Sequence, residues 1–262
     1  MPKFLWLLFA IVAVWVKGIS AKELQILTVN EAPANYLDNQ GQLTGYVTDI
    51  VRALQTQLND TTPIQLVPEA RAIYTGYKHP NIIMFSFSRI AKREKDFYWV
   101  MPVMKKTWSI IYLSQSDIHP TSLNSLKALS GIGVVRGDVR QLWLKQKGFL
   151  NLQPVTSHEQ NLKRLIAGRV PAIAYENSAL IQISQNLNIN AKSFKSFPFY
   201  ESVLYLIMSK PNTDTGILYR WKLAAEQLKA SGQLEAISQK WKRFLEQEFS
   251  VSSKIEDDIL VL

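Results

Sequence analysis

The chain has 262 residues, 47% of them apolar, with 30 Lys and Arg against 21 Asp and Glu, a formal net charge of +9. That length and composition exclude a disordered chain and allow one large domain or two lobes with ample core. With no cysteine and only His79, His119 and His158, far apart in sequence, there are no disulfides, no cysteine nucleophile, no lipidated N-terminal cysteine and no metal-ligand spacing, and no metal or cofactor is expected. The basic excess is spread along the chain and forms no stripe with stacking aromatics, so nucleic acid is not an expected partner.

At the N-terminus, Lys3 precedes an unbroken apolar run of 13 residues, Phe4 to Val16, and Gly18, Ser20 and Ala21 follow. A spanning helix needs about 20 apolar residues, so residues 1–21 read as a secretory signal peptide cleaved after Ala21, with an uncleaved anchor as the alternative. Leu24, Ile26 and Thr28 then share one face of a short strand. NEAPANYLDNQGQLTGY is a loop rich in Asn, Pro and Gly, and Glu31 stands with Asn30 at the end of that first strand. Val47, Ile50, Val51, Leu54 and Leu58 recur at helical spacing, Ile64 to Val67 makes a second strand, and Arg71 to Tyr77 a short helix broken at His79–Pro80.

The stretch NIIMFSFSRIAKREKDFYWVMP, Asn81 to Pro102, organises the chain. Ile82 to Phe85 predicts a buried strand, and Ser86 and Ser88 predict two hydroxyls on one face at its end. The basic segment Arg89, Lys92, Arg93, Lys95 follows. Hydroxyls, free backbone N–H groups and a guanidinium suit a small carboxylate; a strand followed by a solvated basic turn is the plainer reading. Strand, helix, strand, short helix, strand is the alternation of a parallel α/β sheet, whose ligands sit at the carboxyl ends of strands.

In the second half, Trp108–Leu113 predicts a strand and SLNSLKAL a short helix stopped by Gly131. Ile132–Val135 is a strand ending at Arg136-Gly137-Asp138, before a helix to about Lys147. A strand ending in glycine before a helix is either an anion site or an ordinary turn. A helix over 158–167 precedes a strand from Val170 to Tyr175 that ends at Glu176, a carboxylate placed for a ligand or for the start of the next helix. Tyr200–Met208 reads as a long strand, and two amphipathic helices follow, one over 213–230 and one through Leu234, Ile237, Trp241 and Phe244. The tail from Ser250 to Leu262 is acidic and then apolar.

Five segments, LDNQGQLTGYVTDIVRAL, SxSxxxxREKDFYWVMP, LSGIGVVRGD, LIAGRVPAIAYENSA and ASGQLEAISQKW, run in order over nearly all of the chain after residue 21. Together they resemble the periplasmic solute-binding proteins of the polar-amino-acid type, bacterial extracellular solute-binding family 3. The resemblance implies a type II periplasmic-binding-protein fold: two α/β lobes joined by two hinge strands, with residues 22–105 and 209–262 in one lobe and 106–208 in the other. It implies no catalysis, a monomer in the periplasm, and a small polar ligand, an amino acid or related carboxylate, delivered to the membrane permease of an ABC transporter. Carried over by residue, Arg93 pairs with the ligand carboxylate and Ser86 and Ser88 hold the ligand from the first lobe. Gly137 and Asp138 form the second-lobe turn, and Glu176 takes the ligand ammonium. By loop position alone, and not by the resemblance, Tyr36 or Tyr74 would wall the ligand's apolar part.

The chain departs from the family pattern. Ile90-Ala91-Lys92 replaces Thr-Pro-Glu, Asp138 replaces a small hydroxyl, Pro171 replaces an aspartate, and Glu176 replaces the shorter aspartate. Two other readings stand beside this one, the first from dehydratase relatives of the same fold and the second from these departures. One is an enzyme of the cyclohexadienyl-dehydratase type on the same scaffold, using Glu31 or Glu176 as acid or base. The other is a degenerate, non-transport binding or sensor protein.

Overall fold

The computed structural model describes residues 23–262, so the expected signal peptide lies outside the described residues. The first elements are β1 (Gln25–Thr28), the short β2 (Tyr36–Leu37) and β3 (Leu43–Thr44), α1 (Tyr46–Leu58), β4 (Ile64–Leu66), α2 (Glu69–Lys78) and β5 (Ile82–Ser88). Helix α1 forms where the sequence places its apolar stripe, and Val47, Ile50, Val51 and Leu54 are all buried. It begins at Gly45, whose φ of 130° suits glycine and where a side chain would collide with the Ala34 carbonyl. It ends at Asn59 in the left-handed region, whose N–H bonds the last turn.

Two long strands follow the expected positions but outrun them. β6 spans Phe97–Leu113, not only Trp108–Leu113. After β7 (Ile132–Val135), α3 (Val139–Gln146), β8 (Leu152–Val155), α4 (His158–Ile166), β9 (Ala172–Glu176) and α5 (Asn177–Asn186), β10 spans Phe194–Ser209, not only Tyr200–Met208. Proline ordinarily stops a strand reading, since it cannot donate to the ladder. Here Pro198 and Pro102 both fall where the β6–β10 register shifts, and the two strands stay paired from Phe194↔Leu113 to Ser209↔Phe97.

The sheet order is β4-β1-β5-β10-β6-β9-β7-β8. β4, β1 and β5 are parallel, as are β8, β7 and β9, and the antiparallel β6–β10 pair joins the two sets. Each set has its own core. Ile26, Ile50, Phe85, Met104, Leu206, Trp221 and Trp241 pack in the first lobe, where α6 (Thr215–Ala230) and α7 (Gln233–Phe249) contribute. Ile110, Ile132, Val134, Leu144 and Ala174 pack in the second.

The apolar tail also has a place. β11 (Lys254–Glu256) and β12 (Ile259–Val261) form a hairpin, and β12 lies parallel to β6 with Leu260 opposite Met104. Its Leu260 N–H donates to the Tyr46 hydroxyl, which also pairs with Ser238 at 2.8 Å. Burial pushes the Tyr46 phenol up to about 12. The β12 contacts on β6 stop at Lys105 and those of β9 begin at Trp108. Lys106 therefore stands at the junction of the two lobes. No helix among the described residues is long and apolar enough to cross a membrane.

Candidate functional site

The strand ends of both lobes meet at one place. A small chamber there, about 30 Å³, is bordered by Glu31, Glu69, Ser86, Ser88, Arg93, Asp138, Arg140 and Glu176. Six of the seven residues singled out from the sequence are in that set. Gly137 is not: its φ of 77° turns the chain after β7, and its N–H donates to Gln141 Oε1 at 2.7 Å. The donor proposed for an anion is spent inside the turn.

Ser86 and Ser88 differ more than simple alternation predicts. Ser86 has φ 68° and falls where the β5–β10 register shifts, so it is the extra residue of a bulge. Its hydroxyl donates to Asn35 Oδ1, and the Asn35 amide in turn donates to the Val29 carbonyl. The Ser88 hydroxyl accepts from Ser202 on β10 at 2.9 Å.

Arg93 closes a single 3-10 turn, Ala91–Arg93, and is buried although its neighbours Lys92 and Glu94 are exposed. Its guanidinium donates to Glu69 Oε1 at 3.0 Å and lies 5.5 Å from the centroid of the Phe87 ring. Glu69 opens α2, and its side chain keeps 39% of its surface. Burial raises the Glu69 carboxyl above its ordinary range, nearby Asp138 adds to the rise, and Arg93 opposes it.

The opposite end of the chamber is a denser ion-pair network. Lys106, with no exposed side-chain surface, reaches Glu176 Oε2 at 2.8 Å and Glu31 Oε1 at 3.1 Å. Its ammonium also donates to the Ala32 carbonyl at 3.5 Å. Arg140, on the first turn of α3, pairs with Glu176 and Asp138 at 2.5 Å each and approaches Glu31 at 3.8 Å. Asp138 caps α3 through the Arg140 N–H at 2.7 Å. His158 stacks on Tyr175 with ring centroids 4.1 Å apart, and its Nε2 lies 3.4 Å from Asp138.

Burial raises the Glu176 carboxyl against the pull of Lys106 and Arg140, and Glu31 adds to the rise. Burial alone would raise the Asp138 and Glu31 carboxyls; Arg140 with His158 in one case, and Lys106 with Arg140 in the other, hold both below the usual range. Burial would lower the Lys106 ammonium, but Glu176 and Glu31 outweigh it and raise it. Glu176, the residue immediately before α5, does not stand alone as an acceptor: two cations already share it.

Outside the chamber the lobes enclose a cleft of about 690 Å³, lined by Tyr36, Glu69, His158 and Tyr175 among others. Val29, Glu31, Glu69 and Asp138 border both spaces and form the partition between them. Tyr36 is in the cleft wall as the loop position suggests. Tyr74 is 63% exposed on α2 and lines neither space. Sequence reading missed Lys106, Arg140, Glu69 and His158. A signal existed for the first: Met104, Lys106, Trp108 and Ile110 alternate along β6 and all four are fully buried.

The model of the bacterial extracellular solute-binding proteins, family 3, matches residues 24–244. No curated protein matches the sequence. Among solved structures, a histidine kinase sensor domain similar to periplasmic binding proteins superposes with a TM-score of 0.74 at 16% identity, over 84% of this chain and 96% of that one. An ancestral arginine-binding protein bound to arginine gives 0.70 at 20%, over 84% and 99%. The arginine-, lysine-, histidine-binding protein ArtJ from Geobacillus stearothermophilus gives 0.69 at 15%, over 86% and 99%. At these identities the likeness is one of fold.

Proposed function

The chain belongs to the bacterial extracellular solute-binding proteins, family 3, and from that premise we propose that it is an exported binding protein that captures a small polar solute between its lobes. The observation that carries this reading is the convergence of strand ends from both lobes on one chamber, with an adjoining cleft of about 690 Å³. That volume lies within the range of about 300–1,000 Å³ of small-molecule sites. Arg93 binds the solute carboxylate, Ser86 and Ser88 line its seat, and the lobes close on it by bending β6 and β10. The solute is an amino acid or related carboxylate, and the protein, a monomer in the periplasm, hands it to an ABC-type permease.

Binding, not catalysis, fits the charges of the chamber. Glu31 and Glu176, the acids a dehydratase reading calls on, both share Lys106, whose charge favours the ionised form of each. A thermal-shift panel of amino acids, oligopeptides and small carboxylates tests the proposal. A solute at about 100 times its Kd adds about 2.7 kcal/mol of apparent stability. Small-angle scattering should then show a more compact particle with the hit than without it. Silence across the panel would sink capture between the lobes, and turnover of a cyclic carboxylate would move the reading to an enzyme.

A further inference from the structure

The two charged ends of the chamber are already matched from within the chain. Arg93 has the Glu69 carboxylate and Glu176 has the Lys106 ammonium. The two internal partners are held very differently. Glu69 sits on the first turn of α2, keeps 39% of its side-chain surface, makes one ion pair and stands in the partition toward the outer cleft. Rotation of its side chain carries the carboxylate into water, where an anion is best solvated. Lys106 has none of that freedom. It rises from the lobe junction of a 17-residue strand, is wholly buried, and meets three acceptors.

We propose that Lys106 restricts the site to carboxylates without an α-amino group, and that such a solute enters by replacing the Glu69 carboxylate on Arg93. The inference rests on the reading that the solute is held at Arg93 between the lobes, and it chooses between the two solute classes named there. The exchange at Arg93 is charge for charge: one carboxylate leaves and another arrives, so the chamber keeps its balance. An ammonium at Glu176 faces the opposite situation. It must expel Lys106, which has no path to water, or crowd a second cation beside Lys106 and Arg140, which lie 2.8 and 2.5 Å from the same carboxyl group.

The space available agrees. The chamber of about 30 Å³ has room for a water or two, so a solute needs the volume that Glu69 vacates. Departure of Glu69 joins the chamber to the cleft where Tyr36 and Tyr175 lie, and the body of the solute extends there. Lys106 is in this account a specificity-determining residue, and Glu69 an internal competitor of the solute.

The test is calorimetry with matched pairs that differ only in the α-amino group: leucine and 4-methylpentanoate, glutamate and glutarate, arginine and 5-guanidinopentanoate, phenylalanine and 3-phenylpropanoate. The purified protein should bind the deamino member of at least one pair about tenfold or more tightly than the amino acid, a difference calorimetry resolves. Glu69→Gln should tighten that carboxylate by removing its competitor, and should fold normally because the side chain is half in water. Lys106→Met should shift the preference toward the amino acid. Where that variant does not fold unaided, the amino acid or methylammonium should raise its thermal midpoint, and the deamino acid should not. An amino acid that binds the unmodified protein as tightly as its partner overturns the inference and leaves capture between the lobes standing. Glu69→Gln without effect on a bound carboxylate also overturns it. Failure of these pairs together with a hit from an amino acid or oligopeptide in the broad panel does the same, whereas failure of every solute in both panels removes the reading of the cleft itself.

Discussion

The Arg93 end and the Glu176 end of the chamber carry opposite charges, yet they differ most in how their partners are held. Arg93 is matched by one partly exposed glutamate on a helix start, while Glu176 is matched by two buried cations, one on the lobe junction and one behind a helix cap. A partly exposed pair contributes little and is readily exchanged. A buried pair that loses one partner strands the other charge in a medium of low dielectric. Two ion pairs that border the same chamber thus have separate roles, one replaceable by solute and one part of the scaffold.

Lys106→Met should destabilise the fold by about 3–5 kcal/mol, because Glu31 and Glu176 lose their shared cation. Urea unfolding measures this, and a loss below about 1 kcal/mol would mean that Lys106 is not structural. Next in size is Arg93→Ala, which should cost a bound carboxylate about 2–5 kcal/mol of affinity; unchanged calorimetric affinity would remove Arg93 from the site. At the replaceable end, Glu69→Gln should change stability by less than about 1 kcal/mol. A larger loss would show that both ends are scaffold and erase the distinction.

The smallest effect is in pH, where Glu69 and Asp138 have opposite signs. The Glu69 carboxyl is raised by burial, with Asp138 and Glu31 adding and Arg93 opposing. Folding therefore favours its protonated form, and its contribution to stability is lost as pH rises through the raised pKa. Asp138 is held low by Arg140 and His158 against its burial. Its contribution is present above the ordinary carboxylate range and is lost only as pH falls through the depressed pKa. As pH falls through the raised pKa of Glu69, carboxylate affinity should rise as Glu69 takes a proton and releases Arg93, and the stability that Glu69 contributes should grow with it. Affinity that falls with acidification would show that Glu69 does not compete.

Much of this protein was written in local patterns. The apolar run Ile82–Phe85, the α1 stripe and the stripes of the last two helices are periodicities of 2 and 3.6 that a chain satisfies over a few turns or pleats, so element types followed from them. The five ordered segments carried the family, and six of the seven chosen residues border one chamber because strand ends in such a sheet converge. Local patterns under-read β6 and β10, since a proline is tolerated only once a partner strand supplies a register break there. They could not place the apolar tail, which needs the free edge of β6 beside Met104 and Lys105.

What only the tertiary structure decided is which charges meet. Glu31, Lys106, the Asp138–Arg140 pair and Glu176 come from four separate segments, and the sequence singles out the three acids while leaving the two bases unmarked. Their pairing depends on distances of 2.5–3.8 Å in a region closed to water. Coulomb energy and desolvation vary steeply with those distances and that closure, and spacing along the chain encodes neither. The sequence thus determined that strand ends with these side chains would face one another; the packing of the two lobes decided that one end would be sealed by the chain's own lysine and the other left to an exchangeable glutamate.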